Sequence, residues 1–113
     1  MPDAIGIVEM YGYVAAMKAA DAAAKAADVK IIAIDTNKPA NAEKEKVPLI
    51  TVVKMQGSVS SVTAGVEAAA EMAEKITGLI QKHIIARPTE DTQKMANRTS
   101  VGRERVGHIK NNA

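Results

Sequence analysis

The chain has 113 residues, a formal net charge of +2 and 47% hydrophobic residues, which bounds it to one small domain. It contains no Cys, Phe or Trp, so disulfide frameworks, thiol nucleophiles and thiolate metal sites are excluded and the core must be aliphatic. Four basic residues and one acidic residue follow Met95, which leaves a charge near −1 for the part before them and disfavours a nucleic-acid-binding domain.

The first predicted elements are a strand, Ala4 to Met10, and an alanine-rich helix, about Tyr13 to Ala27. Alanine is the best intrinsic helix former. From Val14 onward the helix has only two large apolar side chains, Val14 and Met17, so we expect it to contribute little to a private core. Small side chains allow close approach of another backbone, so a contact with a neighbouring subunit is one interpretation.

Charged residues follow one stripe of this helix at spacings of three and four: Lys18, Asp21, Lys25 and Asp28. Asp21 and Lys25 form an i, i+4 pair with the acid leading, which is the favourable order. The stripe is interpreted either as a solvated face or, at the edge of an assembly, as a docking surface.

Two β-branched runs, residues 29–35 and 48–55, predict buried strands. The connection between them, residues 36–47, has no apolar periodicity and contains turn-forming Asn and Pro residues. Adjacent strands need only about two to five connecting residues. The longer connection is therefore interpreted either as functional or as a tolerated insertion.

The remainder predicts a helix at residues 59–76, a strand at 79–86 and a short helix at 89–95. Ser58 and Thr89 are the expected N-caps of the two helices, and Gly78 fits a helix stop. We expect one domain over residues 4–95 and a polar, basic, disordered tail over residues 96–113. The element order predicts an α+β, ferredoxin-like split βαβ fold (β-α-β-β-α-β) with a short C-terminal helix.

No convergent catalytic or metal-binding set is visible. His83 is expected to be a partly buried structural residue, and His108 lies in the tail. The serines near residue 58 form a cap cluster without a nucleophile-elbow pattern, and the glycines show no phosphate-binding signature. The predicted central strands lack the stacking aromatics of an RNA-recognition module. We therefore predict no catalytic residue, no metal, no cofactor and no enzyme activity.

The N-terminus lacks a basic-then-apolar signal, and no apolar run approaches the ~18 residues of a membrane span. We expect a cytoplasmic protein with no membrane partner and no nucleic-acid partner.

Three segments of the chain, in order, resemble a known family: AIGIVEMYGYVAAMKAADAAAKAADVKI, PLITVVKMQGSVSSVTAGVEAAAE and IIARPTEDTQKM. They are similar to bacterial microcompartment shell proteins of the single-domain, hexamer-forming class (BMC domain). The resemblance implies a homohexamer that tiles edge to edge with other shell proteins, in the cytoplasm, around encapsulated enzymes. It also implies Lys25 and Arg87 at the hexamer–hexamer edge. Asp28, where many members have Asn, lies beside that edge and could pair with a basic residue across it or weaken tiling.

In this family, the connection between the second and third strands forms a central pore for small polar metabolites. Typical members have a short, glycine-containing loop there, whereas this loop is longer and has no glycine. The pore interpretation makes it a raised collar or plug that favours small anions or polar neutral metabolites, and the alternative is a solvated insertion. The assigned pore residues are Thr36, Asn37, Lys38, Pro39, Ala40, Asn41, Glu43, Lys44, Glu45 and Lys46.

Two alternatives remain open. In the first, a small ligand-binding or signalling oligomer on the same fold binds an anion or nucleotide through Lys38, Lys44 and Lys46. In the second, the domain is a small hydrolase, for which no nucleophile can be named.

Overall fold

The computed structural model describes residues 3–37 and 49–98. Its elements follow the predicted split βαβ order, with α3 at the end. They are β1 (Ala4–Tyr11), α1 (Tyr13–Ala26), β2 (Lys30–Asn37), β3 (Ile50–Gly57), α2 (Val59–Ile76), β4 (Leu79–Ile85) and α3 (Glu90–Ala96).

The four strands form one antiparallel sheet in the order β2-β3-β1-β4. In the central pair, Ala4 lies opposite Gly57 and Tyr11 lies opposite Ile50. Chain reversals therefore gather at two opposite ends of the sheet. The loop end contains residues 11–12, 37, 49–50 and 76–79, and the far end contains residues 3, 28, 57–58 and 86–88.

Both long helices pack on one face of the sheet with very small side chains. Helix α1 buries only alanines in the core: Ala15, Ala16, Ala19, Ala20 and Ala23. The expectation that α1 adds little to a private core is therefore wrong, because its whole inner face lies within its own domain. Larger buried side chains come from the strands and from α2, including Val8, Met10, Val53, Met55, Val62 and Val66.

Close helix–sheet contact requires Gly6 in the central strand. A Cβ at Gly6 would lie 2.5 Å from Val66 Cγ2 and 2.8 Å from Val62 Cγ1, closer than packed carbon atoms approach. The lack of a side chain at Gly6 of β1 therefore lets α2 lie directly against the sheet.

The predicted N-caps of α2 and α3 and the predicted stop after α2 are confirmed. Ser58 caps α2, since its Oγ accepts the Ser61 backbone N–H at 3.1 Å, and Thr89 caps α3 by accepting the Thr92 N–H at 3.2 Å. Gly78 follows α2 with φ of 104°, a left-handed conformation that glycine adopts without strain. The chain therefore turns directly from α2 into β4.

Helix α3 packs on the opposite face of the sheet, at the far end. The Gln93 side chain donates to the Asp3 carbonyl at 3.1 Å, and Ala96 is buried. Ile5, on the same sheet face, is fully buried. His83, in contrast, is exposed on the edge strand β4, so the expectation that it is partly buried is wrong.

Candidate assembly surfaces

The sheet places the predicted edge residues and the two described pore residues, Thr36 and Asn37, at opposite ends of the domain. Lys25 and Asp28 stand where α1 ends and the chain enters β2, and Arg87 follows the end of β4. All three are exposed at the far end. Thr36 and Asn37 stand at the loop end. Antiparallel pairing produces this separation, because each strand joins one end of the sheet to the other.

Lys25 already has a partner on its own helix. Its Nζ lies 2.7 Å from Asp21 Oδ2, and both side chains are largely exposed. The hydrogen bond that the Lys25 ammonium donates to the Asp21 carboxylate, together with the negative charge of that carboxylate, raises the pKa of Lys25 above its usual 10.5. The pair therefore holds a charged ammonium at the outer surface of α1, within one helical turn of the far end.

Asp28 lines an open cleft at the far end with a volume of about 360 Å³. The cleft carries the carboxylates of Asp3 and Asp28 and one ammonium, Lys30, so it is net acidic and suits a cationic group. The remaining lining residues are Val29, Gln56, Gly57, Ser58 and Ser61. Asp3 is a member that sequence analysis missed. The pairing of Ala4 with Gly57 brings it beside Ser58, and strand register cannot be obtained from composition.

The backbone position of Arg87 is fixed by the residue that follows it. Pro88 is buried while Arg87 is exposed. Because proline has a fixed φ and no N–H to satisfy, its buried ring fixes the course of the chain beyond β4. The guanidinium of Arg87 therefore projects from a firmly anchored turn, which suits a contact with another molecule.

At the loop end, the strands extend further than sequence analysis indicated. Thr36 and Asn37, assigned to the pore loop, belong to β2 and pair with Thr51 and Ile50. The Gly12 N–H donates to the Leu49 carbonyl at 2.8 Å, which fixes the point where the chain re-enters the sheet. Both roots of the connection are thus anchored on neighbouring strands. The other assigned pore residues, Lys38, Pro39, Ala40, Asn41, Glu43, Lys44, Glu45 and Lys46, lie outside the described residues.

Lys54 links two distant parts of the chain on the sheet face that carries α3. It forms a largely buried ion pair with Asp35 of β2, and its Nζ also donates to the Arg98 carbonyl at 3.1 Å. The backbone that leaves α3 is therefore tied to the centre of the sheet. Residues 99–113 of the predicted tail lie outside the described residues.

Residues 3–37 and 49–98 contain no group of three or more His, Cys, Asp or Glu side chains placed to hold a metal ion. Within these same ranges, no helix is both long enough and apolar enough to cross a membrane. The described residues also present exposed charges and an acidic cleft, which suit contacts between proteins.

Residues 4–88 match the family model described as the BMC domain. The chain is 37% identical over 95 residues to the carboxysome shell protein CcmK2 of Synechococcus elongatus, covering 82% of this chain and 84% of that protein. It is 34% identical over 93 residues to the bacterial microcompartment shell protein PduA of Citrobacter freundii, covering 82% and 90%. These relatives are named as shell proteins, not as enzymes.

A solved microcompartment protein from Desulfitobacterium hafniense DCB has the same fold, with a TM-score of 0.65 at 22% identity. The match covers 90% of this chain and 51% of that one, so this chain spans about half the length of that protein. The likeness confirms the α+β fold that the element order predicts.

Proposed function

The chain belongs to the BMC-domain family, and we propose that it is a structural shell protein of a bacterial microcompartment. In this proposal its copies form cyclic hexamers, the hexamers tile edge to edge into the shell, and a pore at the six-fold axis passes small polar metabolites. The domain over residues 4–95 is the tiling unit, and residues 96–113 form a variable tail.

The observation that carries this proposal is the separation of the loop end from the far end. Strand β2 has eight residues, so the two ends lie about 25 Å apart at roughly 3.3 Å per residue. One end is charged and polar, and the other holds both roots of the long connection. A unit with two such different ends fits a ring in which one end faces the axis and the other faces the next ring.

At the outer edge, we propose that Lys25, Asp28 and Arg87 make the contacts between hexamers. The Lys25 ammonium can lie along the alanine-rich surface of α1 and donate to backbone carbonyls of the next hexamer. The acidic cleft beside Asp28 suits a basic side chain from across the edge. The exposed alanines Ala24 and Ala26 beside Lys25 would allow close contact on this part of the edge.

At the axis, we propose that Thr36 and Asn37 are the base of the pore and that residues 38–46 form a collar on it. The collar has three lysines and two glutamates, a formal charge of +1 per copy, and six copies would carry +6. Positive charge around an opening raises the local concentration of anions. Pairing between lysines and glutamates within the collar would offset repulsion between the six copies.

The proposed partners follow from this assembly. They are the five other copies in the ring, other shell proteins in the layer, and enzymes enclosed by it in the cytoplasm. The small metabolites that cross the layer contact the collar.

Sedimentation of the purified protein, followed by electron microscopy at higher concentration, tests the proposal. A hexamer that forms flat sheets or tubes is the expected result. A stable monomer, dimer or trimer without sheets would contradict it. That outcome would favour the ligand-binding alternative, in which an anion or nucleotide binds the lysines of residues 38–46.

A further inference from the structure

Helix α3 covers part of the sheet face that α1 and α2 leave open. Side chains alternate between the two faces of a strand, and Gly6 faces α2, so its neighbour Ile5 faces the other side. Ile5 is nevertheless fully buried. Of the described elements, α3 is the one that lies on that side, at the same end of the sheet. We therefore attribute the burial of Ile5 to α3.

Burial of its own side chains does little to hold α3 in place. The helix has seven residues, of which Ala96 alone is buried. Its largest apolar side chain, Met95, is 69% exposed. Helices shorter than about 12 residues are marginal in water when they stand alone. The stability of α3 therefore depends on its attachment to the sheet.

Two hydrogen bonds from side chains to backbone carbonyls supply that attachment. Gln93 Nε2 donates to the Asp3 carbonyl at 3.1 Å. Lys54 Nζ, from the centre of the sheet, donates to the Arg98 carbonyl just beyond the helix, also at 3.1 Å. Hydrogen bonds from a charged donor are the stronger kind, so Lys54 is the firmer of the two attachments.

The Lys54 ammonium is oriented by Asp35 of β2. The two side chains form an ion pair and are only 14% and 26% exposed. Partly buried pairs are screened by salt much less than exposed ones. The pair also restricts the long lysine side chain, so little rotamer entropy remains to be lost when Nζ binds the Arg98 carbonyl.

The segment between β4 and Arg98 is thus fixed at its two ends and weakly held between them. Pro88 is buried immediately before α3, and Lys54 holds the carbonyl immediately after it. We propose that α3 is a flap that is hinged after Pro88 and latched by Lys54, and that its opening uncovers Ile5 and the adjoining part of the sheet. The flap belongs to a single copy of the chain, so the inference does not depend on the proposed shell role.

Hydrogen exchange of the unaltered full-length protein is the first test. Local opening exposes the amides of one segment without unfolding the rest of the domain. We expect the amide N–H groups of residues 93–98 to exchange at least about tenfold faster than those of residues 66–73 in the middle of α2. Mass spectrometry of peptic peptides measures both segments in the same sample.

A matched pair of variants tests the latch. Lys54→Met removes the ammonium and keeps an unbranched side chain, and it should speed exchange of residues 93–98 at least about tenfold, because a hydrogen bond from a charged group is lost. Lys82→Met removes a strand lysine that pairs with Glu67 of α2, on the opposite side of the sheet. It should leave exchange of residues 93–98 unchanged.

Two further comparisons separate the latch from general stability. Lys54→Met also removes a partner of Asp35, and a loss of stability in the whole domain would speed exchange in α2 as well as in α3. Loss of the latch speeds exchange in α3 alone. Gln93→Met, which removes the second attachment without altering the sheet, should likewise affect α3 alone.

Each contrary result overturns the inference. Protection of α3 equal to that of α2 in the unaltered protein would show that α3 does not open separately. Unchanged exchange of α3 in Lys54→Met, or an equal acceleration in α2, would show that Lys54 is not the latch. None of these results bears on the proposed function, which sedimentation and electron microscopy test independently.

Discussion

Lys25 and Asp21 form an ion pair at 2.7 Å on the exposed side of α1, with Lys25 in the last turn of the helix. Lys75 and Glu71 form a matching pair at 3.5 Å, with Lys75 in the last turn of α2. Both pairs are exposed i, i+4 pairs, which contribute little to stability because solvent screens them. Their difference is position: Lys25 lies near the far end and Lys75 near the loop end.

That difference gives the first prediction. Lys25→Ala should leave the hexamer intact but abolish sheet formation, because the edge loses its ammonium while the fold loses almost nothing. Sedimentation measures the hexamer, and electron microscopy measures the sheets. Lys75→Ala, which removes the equivalent pair from α2, should form sheets normally. Unimpaired sheets in Lys25→Ala would mean that the edge lies elsewhere.

The raised pKa of Lys25 gives a pH dependence. Because the pKa of the folded state lies above the usual 10.5, the contribution of the pair is complete below pH 10.5 and is lost as pH rises through the higher value. Sheets should therefore persist from neutral pH towards 10.5 and dissociate above it, as followed by light scattering. Lys25→Arg, whose charge persists above a pH of about 12, should shift the dissociation upward. Dissociation at the same pH in both proteins would exclude Lys25 as the titrating group.

Asp28 should strengthen the edge by attracting a cation. Asp28→Asn should weaken sheet formation, since it removes one carboxylate from the acidic cleft. The loss should be largest at ~0.1 M NaCl and small at ~1 M, because the screening length falls from about 10 Å to about 3 Å. Glu71→Gln, which removes an exposed carboxylate from α2, is the control. Stronger sheets in Asp28→Asn would show instead that the carboxylate opposes tiling.

The long connection should be separable from assembly. Deletion of residues 38–46 should leave a hexamer by sedimentation, because both roots of the connection are fixed by strand pairing and by the bond from Gly12 to Leu49. Passage of small anions, relative to cations of similar size, across assembled shells should lose its preference for anions when the collar lysines are absent. A deletion variant that no longer forms hexamers would make residues 38–46 a structural part of the ring.

Gly6 should be a sensitive position of the core. Gly6→Ala brings a methyl group against two branched valines and should cost about 1–3 kcal/mol of unfolding free energy. Gly65→Ala should cost less, because its closest contact is the flexible Met55 sulfur at 2.9 Å and alanine favours the helix. Urea unfolding at one fixed protein concentration compares them, since assembly makes stability concentration-dependent. Equal losses would indicate that the core adjusts equally well around both positions.

Local chemistry explains why the helices were predictable from the sequence. The bounds of α2 and the caps Ser58 and Thr89 follow from apolar spacing and from hydroxyls that accept backbone N–H groups. The predicted strand ends were less accurate, since β2 continues beyond residue 35 through Thr36 and Asn37. That extension depends on pairing with Thr51 and Ile50, which is a property of register and not of residue type.

The candidate site was predictable only in part. The expected edge residues share the far end of the sheet, but the cleft beside Asp28 combines three separate segments through Asp3, Asp28 and Ser58. The exposure of His83 depends on β4 being an edge strand, which requires the complete strand order. The role of α1 was misjudged because its small residues were interpreted as an outer surface, whereas five of its alanines are buried in the core of its own domain.

The distance across the sheet has a consequence for sequence change. Substitutions more than about 7–10 Å apart, with no shared contacts, usually have additive effects. Asn37 and Asp28 are separated by nearly the full length of β2, so changes at one should leave the energetics of the other almost untouched. In the proposed shell, permeability and lateral association can then diverge independently, and engineered combinations of altered collars and altered edges should behave as the sum of their parts.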